Sequence, residues 1–396
     1  MEKAHPAATP EVPAIRGTSV SRRVRRILVR LAFLIGSVLV AVVVVELVGR
    51  LVLRGVADDA RYDARLEELV LRAGPILPPT RLPGKFDPKF GVVLTPHREF
   101  TEHQGDRSFT QKTNALGFFT HEVIPRRPGE YRVLLVGDSF FYGSFIKDAE
   151  RVGAQLEDLA REDEDARRPL KVYNFALPGY CGNQELVVAR TYAAQVDADA
   201  VVLGVFAGND AIANALTSVD EAGNFVTVPE NIKRYQDELR GALGPLRHSL
   251  IARVLSFTQP AGTWLYYRIA RRDWVIDGNR RVLKRFRDFC DEEGLDCGVV
   301  LQMTKDSLDT GVRGRVFNSA EVNDALNRVC DEEGLPFIDM RQVFHEAGDW
   351  RAFIHQPPDA HPNAKGTRLT AEAIYRRWIK AKLAQAHEGV STPSSP

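Results

Sequence analysis

The sequence predicts an α/β domain of three layers, α/β/α, in which helices cover both faces of a mainly parallel, doubly wound sheet. Three nearly continuous apolar runs, at residues 132–136, 171–176 and 200–206, have the composition of strands that are buried on both faces. The segments 152–159 and 184–196, which lie between these runs, are predicted to be helices. Strands that alternate with helices need crossover connections, and these favour a parallel sheet.

The same alternation returns in the second half of the chain. Gly294 and Gly334 each follow a segment of helical pattern and mark its end. Residues 90–119, which precede the first apolar run, have mixed β-like character, so we expect short strands that lead into the sheet. The remaining predicted elements are helices at 281–293, 320–333 and 366–383 and strands at 297–302 and 336–340.

An almost wholly apolar segment at residues 27–48 predicts a membrane-spanning helix. As a helix it would extend about 33 Å, which is close to the thickness of the hydrocarbon core. Arginines crowd residues 22–30, and only Arg50 and Arg54 follow the segment closely, so the positive-inside rule keeps the N-terminus in the cytoplasm. The alternatives are a cleaved signal peptide, for which no clean cleavage site follows, and a core helix, which would not explain the arginines.

We therefore expect a single-pass protein of the cytoplasmic (inner) membrane, with its N-terminus inside and its main domain periplasmic or extracellular. The proline-rich stretch after the span has the composition of a stalk, with a short helix around residues 63–72. The predicted parts are a disordered basic tail at 1–26, the transmembrane helix at 27–48, a stalk or linker at 49–87, the main domain at 88–384 and a disordered tail at 385–396.

Residues 215–280 interrupt the strand-helix rhythm and form a predicted insertion. The segment 217–228 is rich in turn residues, and 248–257 has the pattern of an amphipathic helix. Two alternatives remain open for the insertion: a subdomain packed on the edge of the sheet, or a lid over the substrate site. Its aromatic residues are Trp264, Tyr266, Tyr267 and Trp274, which we expect to form a cluster.

The composition excludes several classes of function. The formal net charge is +1, with 53 basic and 52 acidic residues, so nothing indicates nucleic-acid binding. The 4 cysteines have no metal-ligand spacing, and we predict neither a metal nor another cofactor. Cys181 is expected to be a packed apolar residue near the site. In an exported domain Cys290 and Cys297 could pair across a helix-strand junction, but other pairings of the cysteines are possible.

Polar residues follow the predicted strands at the carboxyl edge of the sheet, where ligands bind in open α/β folds. They lie in four short stretches. The stretches are Gly-Asp-Ser at 137–139, Asn-Phe-Ala-Leu-Pro-Gly at 174–179, Gly-Asn-Asp at 208–210 and Asp-Ala-His-Pro-Asn at 359–363.

Ser139 is either a turn residue or a nucleophile. A neutral serine hydroxyl is a weak nucleophile and needs a base within hydrogen-bonding distance. His361 has the most suitable setting, after the last strand and at the start of the closing helix. His355 is the fallback, although its neighbours Phe353 and Ile354 indicate packing. The alternative for His361 is a helix-capping or surface histidine.

The four stretches, together with Thr113–Phe118, resemble the sequence blocks of the SGNH, or GDSL-type, hydrolase family in its membrane-anchored bacterial variety. The resemblance covers residues 88–384. It implies that Ser139 is the nucleophile and that three donors form the oxyanion hole: the N–H groups of Ser139 and Gly179 and the side chain of Asn209. Taken alone, Gly179 could instead be a turn residue after proline, and Asn209 could form an Asx-turn.

The sequence departs from the family pattern in one place. The orienting aspartate usually lies three residues before the histidine, which is Pro358 here, whereas Asp359 lies two residues before His361. Asp359 is our candidate for the orienting acid, although another carboxylate or a backbone carbonyl could take that role. A metal site made by His355, Asp359 and His361 is disfavoured because no other ligand cluster supports it.

The expected function is that of a serine esterase, or acyl hydrolase, outside the cytoplasmic membrane. Ser139, His361 and Asp359 would cleave an ester through an acyl-enzyme, and the substrate would be an acylated small molecule, a lipid or an acylated cell-envelope glycan. An O-acyltransferase, in which a second alcohol resolves the acyl-enzyme, is one alternative. A noncatalytic glycan-binding or assembly module on the same fold is the other.

Overall fold

The apolar runs of the sequence form strands, as predicted, and five of these strands make the central sheet. We describe them in a computed structural model, which covers residues 22–52, 84–104, 107–244, 248–249, 259–309, 311, 319–355 and 361–385. The strands are β1 (Gly84–Asp87), β2 (Gly91–Leu94), β3 (Glu99–Gln104), β4 (Arg107–Lys112), β5 (Tyr131–Val136), β6 (Leu170–Asn174), β7 (Ala200–Phe206), β8 (Thr217–Val219), β9 (Phe225–Thr227), β10 (Asp296–Gln302) and β11 (Phe337–Asp339).

Helices connect these strands. The described helices are α1 (Arg22–Val52), α2 (Ser139–Tyr142), α3 (Val152–Glu162), α4 (Gly182–Val196), α5 (Asp210–Leu216), α6 (Pro229–Leu243), α7 (Gln259–Ala270), α8 (Asp273–Glu293), α9 (Lys305–Leu308), α10 (Ala320–Glu332), α11 (Met340–Glu346), α12 (Ala364–Ile374) and α13 (Lys380–Ala384). Short 3₁₀ turns lie at Asp148–Glu150 and Trp350–Phe353, and a π-helical turn, Tyr375–Ile379, joins α12 to α13.

The central sheet is parallel throughout, with the strand order β11-β10-β7-β5-β6. All six residues of β5 are buried, because helices cover both faces of the sheet. The chain passes from β5 outward to β6 and then returns to the other side of β5 to form β7. This reversal is a topological switch point, where the connections diverge and leave a crevice at the carboxyl ends of β5 and β7.

Two predicted helices differ from the observed ones. Helix α8 begins at Asp273 rather than at residue 281. The sequence pattern did not predict its first turns, because Gly278 and the polar Asn279 occupy core-facing positions where an apolar residue is expected. Asn279 is buried and donates to the carbonyl of Ala211 at 2.8 Å. The last predicted helix, 366–383, is not one regular helix, since a π-helical turn interrupts it.

The apolar N-terminal segment forms the helix α1, which is 31 residues long and would extend about 46 Å. The stretch Val24–Val52 is long and apolar enough to cross a membrane, and its side chains are largely exposed rather than packed in a core. The helix begins at Arg22, so the last residues of the expected 1–26 tail are helical. Residues 1–21, the expected stalk helix at 63–72 and nearly all of the 385–396 tail lie outside the described residues.

The insertion contributes a β8–β9 hairpin and the helices α6 and α7, which pack against α5. Leu265 and Tyr267 are buried, and the Tyr266 hydroxyl donates to the carbonyl of Ala207 at 3.1 Å. These contacts are those of a packed subdomain, whereas a lid role stays a prediction. The expected aromatic cluster is only partly formed: Tyr266 and Tyr267 meet edge-on, whereas Trp264 and Trp274 pack against Arg268 and Arg234. Most of the expected amphipathic segment 248–257 lies outside the described residues.

A disulfide joins Cys290, near the end of α8, to Cys297, at the start of β10. This is the pairing that the sequence analysis considered possible across a helix-strand junction. Cys181 and Cys330 are free and buried. The disulfide therefore ties the last turn of a helix to the strand it packs on.

Two helical glycines provide a matched test of the packing between α5 and α8. A Cβ atom at Gly278 would lie 2.5 Å from the Cα atom of Ala215, whereas one at Gly241 would meet open space. We expect Gly278→Ala to lower the free energy of unfolding by about 1–3 kcal/mol, since the backbones must move apart. Gly241→Ala should raise it by about 0.5–1 kcal/mol through helix propensity. Urea titration of both variants checks this, and equal effects would contradict the proposed close approach.

Candidate active site

Ser139 lies directly after the central strand β5, at the first position of the short helix α2. Asp138 is the N-cap of this helix, and its Oδ1 atom accepts a hydrogen bond from the N–H of Phe140 at 2.9 Å. Asp138 is buried, whereas Ser139 keeps partial exposure. The strand and its cap therefore present the hydroxyl at the carboxyl edge of the sheet.

Two glycines make room for the helix that carries Ser139. A Cβ atom at Gly137 or at Gly204 would lie 3.0 Å from the side chain of Phe141. Gly137 does not have a positive φ angle, so its role is to leave space for the ring of Phe141. Phe141 is fully buried and packs on β7, which anchors α2 against the neighbouring strand.

The structure brings His361 to Ser139, although 222 residues separate them. The Nε2 atom of His361 lies 2.8 Å from the Oγ atom of Ser139, a hydrogen-bonding distance. An isolated β-bridge between Ile354 and Pro362 holds the histidine segment, and the carbonyl of His361 accepts from the N–H of His355 at 2.9 Å. His361 is partly exposed beside the serine.

Asn363 and Gly366 hold this segment in place, a role that the sequence analysis did not assign to either residue. The side chain of Asn363 accepts from the N–H groups of Lys365 and Gly366, and it donates to the carbonyl of Ile354 at 3.0 Å. A Cβ atom at Gly366 would lie 2.1 Å from the carbonyl oxygen of Phe353. The signal in the sequence was an Asn directly before a helix, which is a common N-cap.

Asn209 lies at the carboxyl end of β7, across the switch point from Ser139. Its Nδ2 atom donates to the Oδ2 atom of Asp138 at 3.1 Å. Its side chain makes no capping hydrogen bond to the helix that follows, so the structure does not show the Asx-turn alternative. One amide hydrogen is therefore held by Asp138, and an amide has a second hydrogen to donate.

Gly179 occupies a turn at the end of the stretch that follows β6. Its φ angle is +82°, and the N–H of Tyr180 donates to the carbonyl of Leu177 at 3.2 Å, which is the geometry of a type II turn after Pro178. Gly179 is exposed and has open space around it. The N–H of Leu177 donates to the carbonyl of Gly137 at 3.0 Å, which ties this loop to the Ser139 loop.

The predicted orienting acid, Asp359, lies outside the described residues, so its role stays a prediction. The fallback base His355 is buried, and its ring meets the ring of Phe145 edge-on at 6.3 Å. Within the part of the chain that the structure describes, no group of three metal-ligating side chains occurs. Of the two histidines, His361 is the one at Ser139.

Three buried carboxyl groups lie behind the site, a feature that the sequence analysis missed. Burial raises the pKa of Asp138 to about 6, against the opposing effects of the Phe140 N–H and the charge of His361. Burial raises the pKa values of Glu185 and Asp210 well above the usual range. Repulsion from Asp210 and Asp138 adds to the effect on Glu185, and repulsion from Asp138 adds to the effect on Asp210. Neither carboxyl oxygen of Glu185 has a hydrogen-bond partner among the described residues. The region therefore favours the protonated forms of Glu185 and Asp210, whereas Asp138 ionises above about pH 6.

Cys181 also belongs to this buried region. Its thiol lies 3.6 Å from the hydroxyl of Thr217, and burial raises its pKa to about 12. A thiol with so high a pKa is not a nucleophile at neutral pH. Cys181 is thus a packed residue, as the sequence predicted.

The buried acids predict a stability that falls as the pH rises. A carboxyl group whose pKa is raised in the folded state releases its proton at a higher pH than it does in the unfolded chain. The stability that is present at low pH is therefore lost as the pH rises, for Asp138 between about pH 4 and 6. We expect Glu185→Gln to raise the free energy of unfolding at pH 8 by about 1–3 kcal/mol and to change it little at pH 4. Chemical denaturation at both pH values measures this. The exposed Glu221→Gln variant is the control, and a Glu185→Gln effect that is equal at both pH values would contradict the assignment.

Comparisons with known proteins identify a family and several similar solved structures. A model of the GDSL-like lipase/acylhydrolase family matches residues 135–369. No curated protein matches the sequence. Similar solved structures include a lipase/acylhydrolase from Enterococcus faecalis, with 12% identity, 63% of this chain and 96% of that chain covered, and a TM-score of 0.39. Another is a catalytic mutant of an acetylxylan esterase from Geobacillus stearothermophilus, with 15% identity, 62% and 93% covered, and a TM-score of 0.37.

The family match begins within β5, which leads to Ser139, and ends in α12, which follows His361. It covers more than half of the chain and includes all four of the short polar stretches. The protein therefore belongs to the GDSL-like lipase/acylhydrolase family and is an SGNH serine hydrolase.

Proposed function

We propose that this protein is a serine esterase that cleaves a carboxylic ester through an acyl-enzyme on Ser139. The observation that carries the proposal is the 2.8 Å distance between His361 Nε2 and Ser139 Oγ, in a partly exposed position at the switch point of the sheet. A serine and a histidine in hydrogen-bonding contact are the nucleophile and base of acyl transfer.

In the proposed reaction, His361 takes the hydroxyl proton while Ser139 Oγ attacks the ester carbonyl carbon. The carbon–oxygen π bond opens, and its electron pair becomes the oxyanion of a tetrahedral intermediate. When the intermediate collapses, the bond to the alcohol breaks and His361 Nε2 gives the proton to the leaving oxygen. Water then repeats the sequence on the acyl-serine and releases the acid.

The proposed oxyanion donors are the N–H groups of Ser139 and Gly179 and the second amide hydrogen of Asn209. The hydrogen bond between Asn209 Nδ2 and Asp138 Oδ2 supports this, because an ionised carboxylate accepts only from the NH₂ side of the amide and so orients it. Donors that are oriented before the reaction stabilise the developing charge without reorganisation.

Two carboxyl groups are proposed to act on the histidine. Asp359 is proposed to orient the ring, as the family resemblance implies. Asp138 is close enough to His361 for their charges to interact, so its ionised form would stabilise the imidazolium that forms during each transfer. Asp138 would thus serve both the base and the oxyanion donor.

The substrate is proposed to be an ester of the cell envelope, either a lipid or an acylated glycan. The support is the helix α1, which is long and apolar enough to span a membrane and would hold the domain at its surface. We propose the division into a basic cytoplasmic tail, anchor, stalk and catalytic domain on the same ground. The excess of arginine before the span favours an exported catalytic domain.

The nucleophile can be tested by labelling. An alkyl arylphosphonate should attach to Ser139 of the full chain in detergent, and Ser139→Ala should abolish labelling and lower aryl acetate hydrolysis by about a thousandfold or more. Mass spectrometry locates the label, and Ser144→Ala, five residues further on, is the control that should keep it. Unchanged hydrolysis in Ser139→Ala would overturn the proposal. An added alcohol that captures the acyl group in preference to water would instead show an acyltransferase.

The proposed orientation has its own test. In intact cells with a permeable outer layer, a protease added from outside should degrade the residues that follow the span and leave a fragment containing α1 protected. Immunoblotting of tags at the two ends of the chain measures this. Protection of the C-terminal tag, with digestion only after the membrane is disrupted, would place the domain inside.

A further inference from the structure

Phe145 has an unusual backbone conformation. Its φ angle is +60°, in the left-handed region that favours glycine. Among the described residues, the other non-glycine residues with positive φ are His97 and Asp197. A bulky side chain in this region costs free energy, and such residues persist where the surrounding structure holds them, often at functional sites.

The ring of Phe145 lies beside the histidine segment. It meets the ring of His361 edge-on, with centroids 6.4 Å apart, and it meets His355 in the same way at 6.3 Å. The N–H of Phe145 donates to the carboxylate of Glu102 at 3.4 Å, which holds the turn. Phe145 is partly exposed, whereas Phe140, whose ring also contacts the ring of His361, is buried.

The proposed reaction predicts which part of the substrate lies near Phe145. His361 Nε2 must deliver a proton to the leaving oxygen, so the alcohol half of the ester has to lie on the histidine side of Ser139. The oxyanion lies on the other side, towards Asn209. Phe145 is partly exposed and its ring lies next to His361, so it is on the side of Ser139 where, in the proposed reaction, the alcohol would bind.

We infer that Phe145 is a specificity-determining residue that packs against the alcohol half of the substrate. This inference rests on the proposed function. It specifies the alcohol half of the ester as a ring with an apolar C–H face, such as a hexopyranose, rather than a short open chain. An aromatic ring offers a flat apolar surface that a sugar ring can cover, with little loss of conformational entropy. Glycine at this position would relieve the backbone strain but would remove the aromatic surface.

The test compares two acetate esters that differ in the alcohol. With the full chain in detergent, hydrolysis of an acetylated methyl glucopyranoside and of isopropyl acetate is followed by pH-stat. Phe145→Gly should lower kcat/KM for the sugar ester by about three- to tenfold and change that for isopropyl acetate by less than twofold. Phe145→Tyr, which keeps the ring, should keep the preference for the sugar ester.

Asp197→Gly is the matched control for backbone strain. Asp197 ends α4 at the amino edge of the sheet, away from Ser139, and its φ angle of +52° is similar. Both glycine variants relieve the same kind of strain, but Asp197→Gly should leave the ratio of the two kcat/KM values unchanged. A role of Phe145 in packing alone would lower both rates together in Phe145→Gly.

The outcomes separate this inference from the proposed function. Failure of the phosphonate to label Ser139 in the wild-type protein would overturn the esterase itself. Labelling of Ser139 with an unchanged ratio in Phe145→Gly would overturn the role of Phe145 alone. Labelling without any turnover of the sugar ester would overturn the assignment of the alcohol class.

Discussion

The close approach of Gly366 to the carbonyl of Phe353 is the contact on which the site depends. It lets α12 begin directly against the segment that carries His361, and no Cβ atom would fit there. Asn363 caps the helix and binds the carbonyl of Ile354, so one side chain holds both ends of the histidine loop. The proton-transfer distance between His361 and Ser139 is a consequence of this local packing.

The acids behind the site link function to stability. Asp138 caps the helix of Ser139, orients Asn209 and interacts with His361, and for these contacts it has to be buried. Burial raises its pKa, and the neighbouring Glu185 and Asp210 share the same region. A polar network enclosed in this way destabilises the fold when the acids ionise, and in the proposed reaction the same network would stabilise charge in the transition state. The site is therefore not optimised for stability, which is common where a fold hosts catalysis.

Much of the fold was predictable because its strands are buried on both faces. Runs such as Ala200–Phe206 are too apolar and too β-branched to be anything else at that length, and the structure has this strand with the predicted bounds. The start of α8 was not predictable, since Gly278 and Asn279 occupy buried positions through a close backbone approach and a hydrogen bond. Neither contact leaves an apolar pattern in the sequence.

By itself, the sequence determined which polar residues follow the strands: a serine after a buried strand, a histidine before the closing helix, and an asparagine and a glycine at two other strand ends. These are local patterns, which are visible in the sequence without knowledge of the fold. The tertiary structure decided the contacts of Asp138, the backbone conformation of Phe145, the close approach at Gly366 and the contact between Ser139 and His361. Burial, backbone strain and the distance between residues far apart in the chain exist only once the sheet and its helices have packed together.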